Sequence, residues 1–198
     1  MSPTIYSPAV LARRAGPSKG SESGIWIALF AITMSFAAFT SALFIRQAST
    51  DWTHIAAPRV LFASTAVLLL SSFMMEASRR ELDGKPESKV HEQGRGLGFV
   101  AATVLLGLTF VAGQYLAWRN LAAEGLYLAT NPNSSFFYLL TGVHALHVLG
   151  GIAALLYLFI QLAVQKSVRR NLLRGVVVYW HFMAALWIYL LVVICVRL

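Results

Sequence analysis

Three histidines are the residues of this chain best suited to chemistry. His144 and His147 lie in Phe136–Gly151, and His181 follows in Tyr179-Trp180-His181-Phe182. Residues three apart share one helix face, and a set of imidazoles can hold a metal ion, ligate haem or relay a proton. The first pair falls inside an uncharged apolar run over about 136–161, long enough to cross a hydrocarbon core of about 30 Å. Polar groups at that depth are costly and are functional suspects by default.

Four further runs complete the set, so that spans are expected at about 24–45, 57–75, 96–118, 136–161 and 175–196. Of the 198 residues, 58% are hydrophobic and 12% charged, about half the charged fraction of a soluble domain; mean hydropathy is +0.66. The sequence therefore predicts an all-α, polytopic membrane helix bundle of five transmembrane helices. Pro58 suits the first turn of the second helix. With the N-terminus inside, Arg13, Arg14, Lys19, Arg79, Arg80, Lys85, Lys89, Arg95, Lys166, Arg169, Arg170 and Arg174 lie inside. Only Arg46, Arg59, Arg119 and Arg197 of the 16 basic residues lie outside, which favours N-inside and C-outside. The net charge of +8 is then a topology signal, and nucleic acid is not an expected partner.

Residues 1–23, rich in Ser, Pro and Gly, read as a flexible cytoplasmic tail, and 24–198 as the five-helix transmembrane domain. The hydrophilic stretch 77–95 is the largest expected connection. The short outer connections predict antiparallel neighbours. No cleavable signal peptide is evident, because the first apolar run is long enough to span. Cys195 is the only cysteine, which excludes an intrachain disulfide and a thiolate cluster.

None of the eight carboxylates falls mid-span, and a pump or ion-coupled transporter generally needs one there. The polar groups at depth include Ser71, Ser72, Gln114, Thr141, His144, His147, Tyr179 and His181. Counted along the helices at 1.5 Å per residue, His147 lies about 16 Å from the outer end of its span and His181 about 9 Å from the inner start of its own. The resulting offset of roughly 10 Å exceeds what metal bonds near 2 Å can bridge. Imidazoles hydrogen-bonded between helices thus outweigh a metal site, a haem site or a proton relay. Gly142, Gly150, Gly151, Ala153, Ala154, Gly107 and Gly113 would let helix backbones approach. Trp26, Trp52, Trp118, Tyr127 and Tyr138 read as interface anchors.

The pattern Thr141-Gly142-x-His144-x-x-His147-Val148-x-x-Gly151, followed by Tyr179-Trp180-His181-Phe182 and Trp187, resembles subunit III of haem-copper oxidases. Gly24-x-Trp26, Arg46, Pro58 with Ser71-Ser72, and Gly107 with Gln114 agree with its short bacterial form. The likeness covers about 24–196 and matches the type lacking the first two of seven helices. It implies a non-catalytic subunit without haem or copper, which are expected in partner subunits. Such a subunit packs on subunit I as a V-shaped bundle of two helix groups with phospholipid in the cleft, and supports sustained turnover, proton uptake or oxygen access. His144, His147 and His181 fall on the family's histidines, and Arg170 and Arg174 suit lipid phosphates. Family acids are replaced by Ile32, Ala117 and Ala184, so functions attributed to those acids do not carry over.

The expected setting is a cytochrome c oxidase type complex in a bacterial inner membrane, contacting subunit I, other subunits and phospholipid, and at larger scale a respiratory supercomplex. Quinol oxidase and nitric oxide reductase are the rivals within the fold. A stand-alone haem or metal membrane protein, and a small transporter, are the rivals outside it.

Overall fold

The computed structural model describes residues 19–48, 58–83, 90–128, 131–165 and 170–197. They form five helices: α1 (Lys19–Arg46), α2 (Val60–Asp83), α3 (Val90–Ala123), α4 (Pro132–Gln165) and α5 (Arg170–Arg197). Each contains a stretch long and apolar enough to cross a membrane, and the protein is a multi-pass membrane helix bundle. Most of the expected tail, residues 1–18, and Trp52 lie outside the described residues.

Every helix extends beyond its expected apolar run at one end or both, although α2 begins at Val60, so Pro58 stands just before the helix rather than in its first turn. At 1.5 Å per residue the 34 residues of α3 reach about 51 Å, so helix ends project past the hydrocarbon. The tail therefore gives way to helix at Lys19 rather than at Gly24. The stretch 77–95 is mostly helix as well, because polar contacts hold the projecting ends of α2 and α3. Glu76 pairs with Arg79 at 2.6 Å and Arg80 at 3.1 Å along α2. Across the pair, Arg95 meets Glu81 at 3.0 Å and Ser78 donates to the Gly96 carbonyl at 3.1 Å. These charged residues mark one end of the bundle, called the basic end below.

Local chemistry sets the ends near residue 128. Gly125, with φ of 80°, stops α3: its N–H bonds the Ala122 carbonyl at 3.0 Å, and the Leu126 N–H bonds that of Leu121 at 3.0 Å. This is a Schellman closure, which requires a left-handed residue. Asn131 then caps α4, its Oδ1 accepting from the Ser134 N–H at 2.8 Å, with Pro132 in the first helical position that suits it. At the start of α2, Pro58 supplies its carbonyl to the Leu61 N–H at 2.9 Å.

The helices α2, α3, α4 and α5 close into a ring, each packed on the next and α5 returning to α2, while α1 lies against α5 and α4. Among the described residues this is one bundle, not two groups splayed into a V. It also corrects the expectation that α1 and α2 are neighbours. They make no contact, because α5 stands between them in the packing order. Outstretched, the thirteen residues between Arg46 and Val60 can span about 40 Å, ample to pass a helix about 10 Å across. The ring is filled by Trp180, Trp187, Phe110, Phe137, Leu68, Leu140 and their neighbours. The guanidinium of Arg197 lies over the Phe44 ring at 5.0 Å, joining the ends of α5 and α1.

Candidate functional site

One hydrogen-bond pattern recurs through the bundle. An aromatic donor on one helix reaches a Ser or Thr hydroxyl on another, and that hydroxyl donates to a backbone carbonyl. Trp180 Nε1 donates to Ser71 Oγ at 3.0 Å, and Ser71 Oγ lies 3.4 Å from the Thr103 carbonyl of α3. Trp187 Nε1 donates to Thr65 Oγ1 at 2.8 Å, which donates to the Leu61 carbonyl at 2.6 Å. Trp118 Nε1 donates to Thr141 Oγ1 at 3.0 Å, and Thr141 to the Phe137 carbonyl at 2.6 Å. Tyr189 hydroxyl donates to Thr40 Oγ1 at 3.0 Å, and Thr40 to the Phe36 carbonyl at 2.9 Å. A hydroxyl offers one donor and two lone pairs, so each link is satisfied where water is absent.

Three more side chains tie helices together. Gln114 Nε2 donates to Ser64 Oγ at 3.1 Å, and Tyr179 hydroxyl to the His147 carbonyl at 2.9 Å. Tyr138 hydroxyl contacts the Trp118 and Leu126 carbonyls at 3.2 and 3.0 Å. Trp118 and Tyr138 are thus tied to the bundle by their polar ends. Trp26 and Tyr127 are exposed.

The histidines do not make the expected interhelical bonds. His147 and His181 each turn Nδ1 onto a carbonyl of their own helix, Val143 at 2.8 Å and Val177 at 2.9 Å. A carbonyl only accepts, so Nδ1 carries the hydrogen in both. His144 is fully buried, and neither of its ring nitrogens has a partner among the described residues. It packs instead among rings, with centroids 5.1 Å from Trp187, 5.9 Å from Phe110 and 6.4 Å from Phe36. His144 fills space within the bundle, and the indoles and phenols make its joints.

Direction also separates His147 from His181. Tyr179 faces His147, and residues two apart on a helix project about 200° apart, so His181 points to the opposite flank of α5. Among the described residues, no group of three His, Cys, Asp or Glu is placed to hold a metal ion.

Glycine explains the seat of Trp180. A Cβ on Gly107 would stand 2.8 Å from Trp180 Cη2, and one on Gly151 would stand 3.2 Å from Cε3 and Cζ3, so the indole lies between two helices that have no side chain there. A Cβ on Gly113 would come within 3.0 Å of Ser64 Cβ. At Gly142 and Gly150, by contrast, the nearest atom would be 3.9 Å away, an ordinary contact. Gly142 is therefore not a point of close approach, and Ala153 is exposed. Ser71 is buried in the network, whereas Ser72 is only half-buried and makes no such bond. Adjacent helical residues point about 100° apart. Sequence reasoning omitted Ser64, Thr65, Tyr189 and Trp187 as joints. The signal available was an indole or phenol far from a span's edge, which needs an acceptor in place of water.

The family model for cytochrome c oxidase subunit III matches residues 18–197. The chain belongs to that family. Among its relatives, "Probable cytochrome c oxidase subunit 3" of Mycobacterium tuberculosis is 40% identical over 94 residues, 46% of either chain. "Probable cytochrome c oxidase subunit 3" of Nocardia farcinica is 40% identical over 88 residues, 43% of either chain. This chain thus spans under half the length of those relatives in the matched stretch. "Probable quinol oxidase subunit 3" of Staphylococcus saprophyticus is 27% identical over 177 residues, 86% of this chain and 85% of that one.

In this subunit III family member, Ala117 and Ala184 are buried and Ile32 is half-buried against the core. Methyl and aliphatic groups therefore fill the positions where the resemblance implies acids. Arg174 is exposed at the basic end of α5; the side chain of Arg170 lies outside the described set. Nearby, Ile25, Gly150, Ala154, Asn171, Gly175 and Tyr179 line a groove of about 440 Å³ between α1, α4 and α5.

Proposed function

We infer that this chain is the non-catalytic third subunit of a haem-copper terminal oxidase, whose complex reduces oxygen to water and pumps protons. The family match over residues 18–197 carries the reading. It agrees with a core whose buried polar side chains are hydroxyls, amides and one imidazole, with no Asp or Glu among the buried described residues. Such a core, without a buried acid among the described residues, suits bracing a neighbour rather than loading ions. Haem and copper, on this reading, belong to partner subunits, with subunit I the main contact, in a bacterial inner membrane and with the N-terminus inside. His144, His147, His181, Ser71, Gln114, Thr141, Tyr179 and Trp180 would serve packing. The groove beside Arg174 would hold a phospholipid, its phosphate near the guanidinium and a chain along Gly150 and Gly175.

The test is purification of the chain from its native membrane with every subunit it retains. Expected is a complex with haem absorption and oxygen consumption, and no haem or metal on the chain once separated. Stoichiometric haem on the isolated chain would overturn the reading. A quinol-oxidising complex is the second reading, favoured by the likeness to the quinol oxidase subunit over most of both chains. Oxygen uptake with reduced cytochrome c against that with quinol separates the two.

A further inference from the structure

His181 lies on the outward side of α5. Ala185, Ile188 and Val192 are all exposed, and at 100° per residue they share an arc of about 60° that includes His181. The span runs Asn171–Arg197, which puts His181 about 15 Å from one end and about 24 Å from the other. The half-buried ring therefore lies inside the hydrocarbon, nearer the basic end. Its Nδ1–H is committed to the Val177 carbonyl, so Nε2 presents a bare lone pair, and it makes no hydrogen bond among the described residues. His147 has the same internal bond but is covered by Phe36 of α1, with ring centroids 5.9 Å apart. The outward hydroxyls of Ser35 and Thr109 are satisfied on their own helices.

We propose that this arc of α5 docks against a transmembrane helix of another oxidase subunit, and that this helix brings a hydroxyl, amide or indole donor to His181 Nε2. The proposal rests on the subunit III reading and names the face that meets the partner. Ionisable side chains within membrane spans almost always face protein or a polar cavity, and an acyl chain has no donor to give. Headgroups stand too far away. A second copy in the same membrane orientation would set acceptor against acceptor, because the arc of each copy offers the same residues at the same level. Ala185, one turn from His181, keeps the approach close, and the 181, 185, 188, 192 spacing suits a shallow left-handed crossing.

The experiment uses the intact complex with a photo-crosslinking residue at Ala185, and a control at Leu105, which is exposed on α3. Expected is a crosslink from position 185 to a haem-bearing subunit, at a helix with a donor side chain within one turn. His181→Leu should lower the fraction of chain kept on the complex through detergent washes by about three- to tenfold. His181→Gln, which retains an acceptor, should restore most of it. Crosslinks from position 185 confined to lipid or to a second copy would overturn the proposal, as would full retention of His181→Leu. Absence of any haem-bearing subunit overturns the subunit III reading and the proposal with it.

Discussion

Trp180 of α5 donates its indole N–H to the hydroxyl of Ser71 on α2 at 3.0 Å, across 109 positions of sequence. The bond closes the helix ring, because α5 must return to α2. Ser71→Ala leaves a buried indole N–H unpaired, at a cost of about 1–2 kcal/mol. Trp180→Phe removes the donor along with some packing, at about 2 kcal/mol. A double-mutant cycle by unfolding in detergent should give a coupling of about 0.6–1.7 kcal/mol. Strict additivity of the two losses would show that the bond contributes nothing to stability.

Glycine position should matter more than glycine presence. At Gly107 an added methyl meets Trp180 Cη2 at 2.8 Å, and that fully buried ring has no room to withdraw. Gly107→Ala should cost about 1–3 kcal/mol by overpacking. Gly142→Ala meets nothing closer than 3.9 Å and gains helix propensity, so it should be neutral or stabilising by up to about 1 kcal/mol. Melting temperatures of the two variants in the same detergent check this, and equal losses would contradict it.

The five spans were legible because uninterrupted hydropathy is a direct consequence of bilayer thickness. Ser71, Gln114, Thr141, Tyr179 and Trp180 were legible as interior polar groups. Their pairing was not, because Trp180 and Ser71 meet only once the packing order places α5 between α1 and α2. The histidines were misread for a related reason. Spacing locates His144, His147 and His181, but whether a ring bonds across helices or turns back on its own carbonyl is settled by the rotamer. The helical ends of 77–95 were hidden by polarity: Glu76, Arg79, Arg80, Glu81 and Arg95 read as loop, yet stabilise helices through pairs at 2.6–3.1 Å.

The start of α4 depends on Asn131. Its Oδ1 holds the Ser134 N–H at 2.8 Å, and Asn131→Ala should cost about 1 kcal/mol. Because the effect is confined to one helix end, hydrogen exchange should rise at the Ser134 and Ser135 amides and stay unchanged around Val148. Faster exchange along the whole of α4 would mean that the cap supports the bundle rather than the end alone.

His144 gives the sharpest separation of packing from chemistry. Its ring is enclosed by Phe36, Phe110 and Trp187, and its two nitrogens bond to nothing among the described residues. Replacing it with a ring of similar shape loses no hydrogen bond and removes the cost of burying an unpaired polar group, about 1–3 kcal/mol. The slightly larger Phe offsets part of that gain. His144→Phe should therefore assemble and turn over per haem within about twofold of wild type. Trp187→Phe, by comparison, loses the 2.8 Å bond to Thr65 and should assemble less well. Subunit ratios by mass spectrometry and oxygen uptake per haem measure the two effects separately. A loss of turnover beyond about tenfold in fully assembled His144→Phe corresponds to about 1.4 kcal/mol at the transition state. A loss of that size cannot come from packing that leaves assembly intact, so it would mean that the imidazole takes part in the chemistry of the complex.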